Sequence, residues 1–87
     1  MVKETITVMN KTGIHLRPAT ELSKICGRLS SDITITAGTK QINPKSALMI
    51  AGAGINQGDT LEIRCEGDSE EADLRLVLEA IAGGLGE

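Results

Sequence analysis

The chain has 87 residues, a net charge of −3, a pI near 5.1 and no Phe, Tyr or Trp. A length of this kind makes a single domain, residues 1–87, and buries only about 60–65% of its unfolded surface. Its core must therefore be packed from Ile, Leu, Val, Met and Ala, and a large enclosed pocket is not expected. The acidic balance argues against a nucleic-acid partner, which calls for a basic stripe. No long apolar run marks a membrane insertion and no targeting segment precedes the first strand-like stretch, so a cytoplasmic location is expected.

In chain order, residues 2–9 alternate, with Val2, Ile6 and Val8 on one side and mostly charged or hydroxyl residues on the other. That is the period of a half-buried strand. Asn10 to Gly13 breaks it. From Arg17 the period lengthens: Ala19, Leu22, Ile25, Cys26 and Leu29 recur at helical spacing, while Glu21, Lys24 and Arg28 take the other face. Pro18 suits a first turn, where its missing N–H costs nothing, so a helix is predicted to begin within a residue or two of His15.

Asp32 to Thr36 alternates as a second strand, and Ala37-Gly38-Thr39-Lys40 reads as a hairpin turn into a short strand over Lys40 to Asn43. Pro44 and Lys45 end that strand, and Ser46 can cap a short helix over Ala47–Ala53. Asn56 to Asp59 turns the chain into Thr60–Glu66, which places Leu61, Ile63 and Cys65 on one face. A last helix carries the stripe Leu74, Val77, Leu78, Ile81 and Leu85. Asp68 and Glu71 have capping-box spacing at its start, and Gly83 and Gly84 let its end fray or turn. The order β-α-β-β-α-β-α predicts an α+β fold: a two-layer open-faced sandwich with a four-stranded antiparallel sheet and helices on one face.

Cys26 and Cys65 lie far apart without metal-ligand spacing, and one histidine leaves too few soft ligands for a structural zinc site. Both read as small buried apolar residues and free thiols, and no metal is expected.

His15 is the only histidine. A lone histidine is most often an ordinary surface residue. Here, however, it precedes a helix start, where free N–H groups and the positive dipole end favour an anion. Arg17 is the side chain best shaped to hold phosphate oxygens, and Gly13 is expected to leave space beside the ring. A neutral ring nitrogen is a nucleophile, so the local chemistry points to phosphorylation of the histidine rather than metal binding or proton relay.

Residues 13–20, Gly-Ile-His-Leu-Arg-Pro-Ala-Thr, resemble the active-site signature of the HPr family. These are the histidine-containing phosphocarriers of the bacterial phosphoenolpyruvate:sugar phosphotransferase system. The resemblance extends to chain size, element order and the stretch Lys45 to Asp59, which is similar to the family's second signature. It implies that phospho-enzyme I phosphorylates His15, at Nδ1, and that an enzyme IIA domain then takes the phosphoryl group in sugar uptake. Arg17 would steady the group in transit, while Pro18 and the first-turn amides fix the geometry. Positioning and electrostatics are most of what phosphoryl transfer asks of a protein. Such a chain is a phosphotransfer intermediate rather than a free-standing enzyme, works without a cofactor, and is a monomer by default.

Leu16, Thr20, Lys24 and Leu48 align with docking positions of the family, though core packing is an equal alternative for Leu48. Ser46 matches a serine that an HPr kinase/phosphorylase modifies in Gram-positive-type members, besides its plain role as a helix cap. Phosphate there would add negative charge beside the docking surface. The chain departs from the family around this serine. Ala47, Ala51 and Ala53 replace larger apolar residues and Pro44 is unusual, while Leu48, Met49 and Ile55 keep some apolar character. A thinner patch would weaken docking of the kinase and of a catabolite-control regulator. Two alternatives stay open: a regulatory HPr-like module acting through Ser46, or a phosphocarrier of a nitrogen or dihydroxyacetone-kinase branch.

Overall fold

The alternating stretches form four strands: β1 (Val2–Thr7), β2 (Asp32–Ala37), β3 (Lys40–Ile42) and β4 (Thr60–Glu66). The helical periods form α1 (Leu16–Gly27), α2 (Ala47–Gly52) and α3 (Glu70–Ala82). This is a computed structural model, and it describes residues 1–86. The strands make one sheet in the order β1-β4-β2-β3, antiparallel throughout, with the helices on one face. The expected α+β open-faced sandwich is what the chain adopts.

Register follows from the buried set. Ile63 of β4 lies beside Ile35 of β2, and Ile35 pairs in turn with Ile42 of β3, so these three isoleucines point together at the helix layer. A one-residue slip would turn each of them to water. Ala19, Leu22 and Cys26 of α1, Ile50 of α2, and Val77 and Ile81 of α3 close over them. Each fully buried Leu or Ile contributes about 1.5–3 kcal/mol of transfer free energy, which lets a core without aromatics suffice.

Three local outcomes refine the sequence reading. The short strand stops at Ile42 rather than Asn43. Continued register would bring Pro44 opposite Ile33, with no N–H to give the ladder. Asp68 and Glu71 do not form a capping box. The N-cap of α3 is Ser69, and its hydroxyl donates instead to Asp73 Oδ2 at 2.8 Å. At the other end of α3, Gly84 N–H donates to Ile81 O at 3.1 Å and Leu85 N–H to Ala80 O at 3.3 Å. With Gly84 at φ +85 this is a Schellman cap, so the helix end turns and tucks Leu85 into the core.

Candidate functional site

His15 stands at the head of α1 because the chain before it is committed elsewhere. Gly13 N–H donates to Asn10 O at 3.0 Å, which closes a tight turn, and Gly13 itself is at φ +73. A Cβ at Gly13 would lie 2.1 Å from Ile55 O. The glycine therefore serves a close backbone approach to Ile55, not the open space beside the ring that the sequence suggested. Ile14 N–H then donates to the same Ile55 O at 3.1 Å, and the Ile14 side chain is buried. His15 is the first residue after that anchor and is exposed.

The N-cap of α1 is His15, with an extended backbone at φ −79, ψ −169 and no side-chain cap hydrogen bond. Its carbonyl accepts from Ala19 N–H at 2.9 Å, which starts the helix. Leu16 and Arg17 occupy the first two helical positions, where N–H groups have no intrahelical acceptor. Among the described residues nothing else takes them. Pro18, buried in the third position, has no N–H to satisfy. The Arg17 side chain is exposed, no acidic residue lies in the first turn, and the only ion pair among the described residues is Met1 to Glu70. The head of α1 thus carries an exposed imidazole, a guanidinium with no ion-pair partner among the described residues and two unclaimed amides, and these donors suit an anion.

Leu16, Thr20 and Lys24 follow one another at four-residue spacing along one face of α1. Leu16 is 61% exposed and Lys24 is exposed, while Thr20 is half-buried with its hydroxyl donating to Leu16 O at 2.8 Å. Leu48 is 79% exposed, which removes the core-packing alternative for it. Met49, 47% exposed, is beside it on α2, a surface residue that the sequence reading counted only as apolar character. Ile55, counted there too, is buried, and Ala51 and Ala53 pack against the core, so the exposed apolar part of α2 reduces to Leu48 and Met49. Ser46 caps α2 as expected: its Oγ accepts from Met49 N–H at 3.3 Å.

The remaining titratable sulfur is out of play. Cys26 and Cys65 are buried free thiols, and burial pushes Cys26 up to about 12 and Cys65 upward. Thiols so raised stay protonated and unreactive near neutral pH. Among the described residues no three His, Cys, Asp or Glu side chains cluster to hold a metal ion.

The family model described as "PTS HPr component phosphorylation site" covers residues 2–83. The chain belongs to the HPr family of phosphocarriers of the phosphotransferase system. It is 32% identical over 77 residues to the phosphocarrier protein HPr of Mycoplasma capricolum, covering 88% of this chain and 86% of that one. It is 37% identical over 83 residues to a multiphosphoryl transfer protein of Escherichia coli O157:H7. That match takes in 92% of this chain but only 22% of the longer protein. Among solved structures, HPr-C-His from Thermoanaerobacter tengcongensis superposes with a TM-score of 0.92 at 34% identity, covering 100% of this chain and 98% of that one. Proteins of this family work with the enzymes of the phosphotransferase system.

Proposed function

We propose that the chain is a phosphocarrier whose acceptor is His15: it takes a phosphoryl group from phospho-enzyme I and passes it to an enzyme IIA domain in sugar uptake. The observation that carries this reading is the exposed, unbonded imidazole at the N-cap of α1, in the same exposed first turn as Arg17 and the open amides of Leu16 and Arg17. In the transfer, a lone pair on the ring nitrogen, Nδ1 in the family, forms the bond to phosphorus. The bond from phosphorus to the donor atom of phospho-enzyme I breaks, and its electron pair stays with that atom. Arg17 and the two amides meet the negative oxygens through positioned donors, which is where electrostatic catalysis acts. Pro18 holds the first turn in helical geometry without competing for the phosphate.

A carrier must also let go. Donors that stabilised phosphohistidine in the ground state as well as in the transition state would slow the next step. One guanidinium and two amides in an open site, with no enclosing cage, suit a group in transit. Leu16, Thr20, Lys24 and Leu48 would form the face on which enzyme I and enzyme IIA dock in turn, with the chain working as a monomer in the cytoplasm. Ser46 is a candidate regulatory site: phosphate on its oxygen would add charge to the same side of the molecule as Leu48 and Met49, and an HPr kinase/phosphorylase would be the enzyme responsible.

The test is incubation with phosphoenolpyruvate, magnesium and a catalytic amount of enzyme I, followed by intact mass spectrometry at alkaline pH, with His15→Ala in parallel. One acid-labile phosphate on the wild type and none on the variant is the expected result. No phosphate, from an enzyme I proven active on another carrier, would contradict the reading.

A further inference from the structure

The turn between α2 and β4 reaches across the molecule to the loop that carries His15. Its centre is Asn56-Gln57-Gly58-Asp59, closed by Asp59 N–H donating to Asn56 O at 3.1 Å. Gly58 is at φ +91, the left-handed value that the third position of a type II turn requires. The Asp59 side chain closes the same turn again: Asn56 N–H donates to Asp59 Oδ2 at 2.8 Å.

What this turn holds is not local. Gly58 N–H donates to Val8 O at 2.8 Å, and Val8 N–H donates to Asp59 O at 2.8 Å. Gln57 Nε2 donates to Met9 O at 3.3 Å. On the far side of the loop, Ile14 N–H donates to Ile55 O at 3.1 Å. The backbone of Gly13 is pressed so close that a Cβ there would lie 2.9 Å from Asn56 Cα. One short turn therefore grips the His15 loop at both ends, at Val8 and Met9 where it leaves β1 and at Ile14 immediately before the imidazole.

We infer that Asp59 is a positioning residue for His15. Its carboxylate pins the Asn56 amide and so fixes the turn that sets where Ile14, and hence the N-cap of α1, is placed. The inference rests on the phosphocarrier reading above and adds a residue that touches neither phosphate nor partner. Transfer needs the ring nitrogen about 3–3.5 Å from phosphorus and in line with the breaking bond, and a displacement of ~1 Å can cost ~100-fold. Asp59 is exposed, so losing its one side-chain bond leaves the core intact and is felt mainly as a loss of aim.

The experiment compares wild type, Asp59→Ala and Asp59→Asn as phosphoryl acceptors from enzyme I, well below each variant's Tm. Backbone amide NMR is recorded on each protein alongside. Asparagine keeps an oxygen that can accept from Asn56 N–H. In Asp59→Ala kcat should fall about tenfold with KM little changed, and it should recover in Asp59→Asn. The amide signals of Ile14, His15 and Leu16 should move in the alanine variant and return in the asparagine one. A lowered Tm with unchanged kcat would overturn the inference, as would unmoved signals at those three residues or equal losses in both variants. Should Asp59→Ala not fold, Asp59→Glu, which displaces the carboxylate by one methylene, carries the same readouts. If the wild type takes no phosphate, the phosphocarrier reading fails by itself, and the NMR comparison still decides whether Asp59 sets the position of His15.

Discussion

The two ends of α1 treat polar groups in opposite ways. At its start, His15, Arg17 and two backbone amides face water with no protein partner among the described residues. Past its other end, about 18 Å along the helix axis, a buried carboxylate gathers the donors around it. There Asp73, only 5% exposed, accepts from Ser31 N–H at 3.1 Å, Ser31 Oγ–H at 2.6 Å and Ser69 Oγ–H at 2.8 Å. The Ser69 hydroxyl in turn meets Ser30 Oγ at 2.9 Å. Among the described residues no buried side-chain nitrogen or oxygen lacks a partner. Buried side-chain polar groups are thus paired, while the donors at the exposed start of α1 are left to water, which satisfies them without a desolvation penalty and which an incoming anion can displace. One end of the helix ties the fold together, and the other carries the groups to which the proposed chemistry is assigned.

That division is open to direct attack, and the largest effect is expected at the tied end. Asp73→Ala strands two hydroxyls and a buried amide that had a charged acceptor, and should cost about 3 kcal/mol. In a domain of this size that lowers Tm by more than about 10 °C. Phosphoryl transfer measured well below the new Tm should stay at the wild-type rate. Thermal melts with transfer assays check both, and a variant that kept its stability but lost transfer would break the comparison.

Arg17→Ala is the complementary case. Removing one donor aimed at transferring charge typically costs about 100-fold in rate, while an exposed side chain without partners leaves stability within about 0.5 kcal/mol. Arg17→Lys should recover only part of the rate, because a point charge does not reproduce the guanidinium fork. Single-turnover phosphorylation by enzyme I, beside chemical denaturation, separates the two quantities.

The Asp73 network also sets an acid limit. The Ser31 hydroxyl, foremost, holds the Asp73 carboxyl below its ordinary value, helped by the Ser69 hydroxyl and the Ser31 amide and opposed by burial. A carboxyl depressed in the folded state stabilises fully above its unfolded value of about 3.9, and that contribution is lost as pH falls through the folded value. Urea midpoints should therefore drop for the wild type below about pH 4, and drop less for Asp73→Asn, which has no such proton to bind. Equal slopes for the two proteins would remove Asp73 from the explanation.

The smallest effect is expected at Ser46. Its cap bond to Met49 N–H is long, at 3.3 Å, so Ser46→Ala should cost about 0.5–1 kcal/mol and leave transfer through His15 unchanged. A loss of transfer in this variant would place Ser46 in the docking surface rather than beside it.

Much of the candidate site's placement was legible in the sequence, because its signals are local. A change of period from Arg17, a proline suited to a first turn and an arginine two residues past the only histidine all lie within one short stretch. The strands were legible for a similar reason, since alternation is a property of neighbours. The tied end was not. Ser31 and Asp73 are 42 residues apart, and nothing near either one marks the other. Asp68 and Glu71 offered a local capping pattern, but Ser69 took the cap position and its hydroxyl was drawn to Asp73. Gly13 was misread for the same reason, as the atom it makes room for belongs to Ile55. Leu48 could pack or protrude equally well on the pattern of α2, and only the structure turns it outward.

The most direct test of this division is amide NMR of the chain before and after phosphorylation by enzyme I. The largest shifts should fall on the amides of His15, Leu16 and Arg17 as the free N–H groups meet phosphate, while Ser31, Ser69 and Asp73 hold their positions. Shifts absent at Leu16 and Arg17, or spread to the Asp73 network, would contradict it.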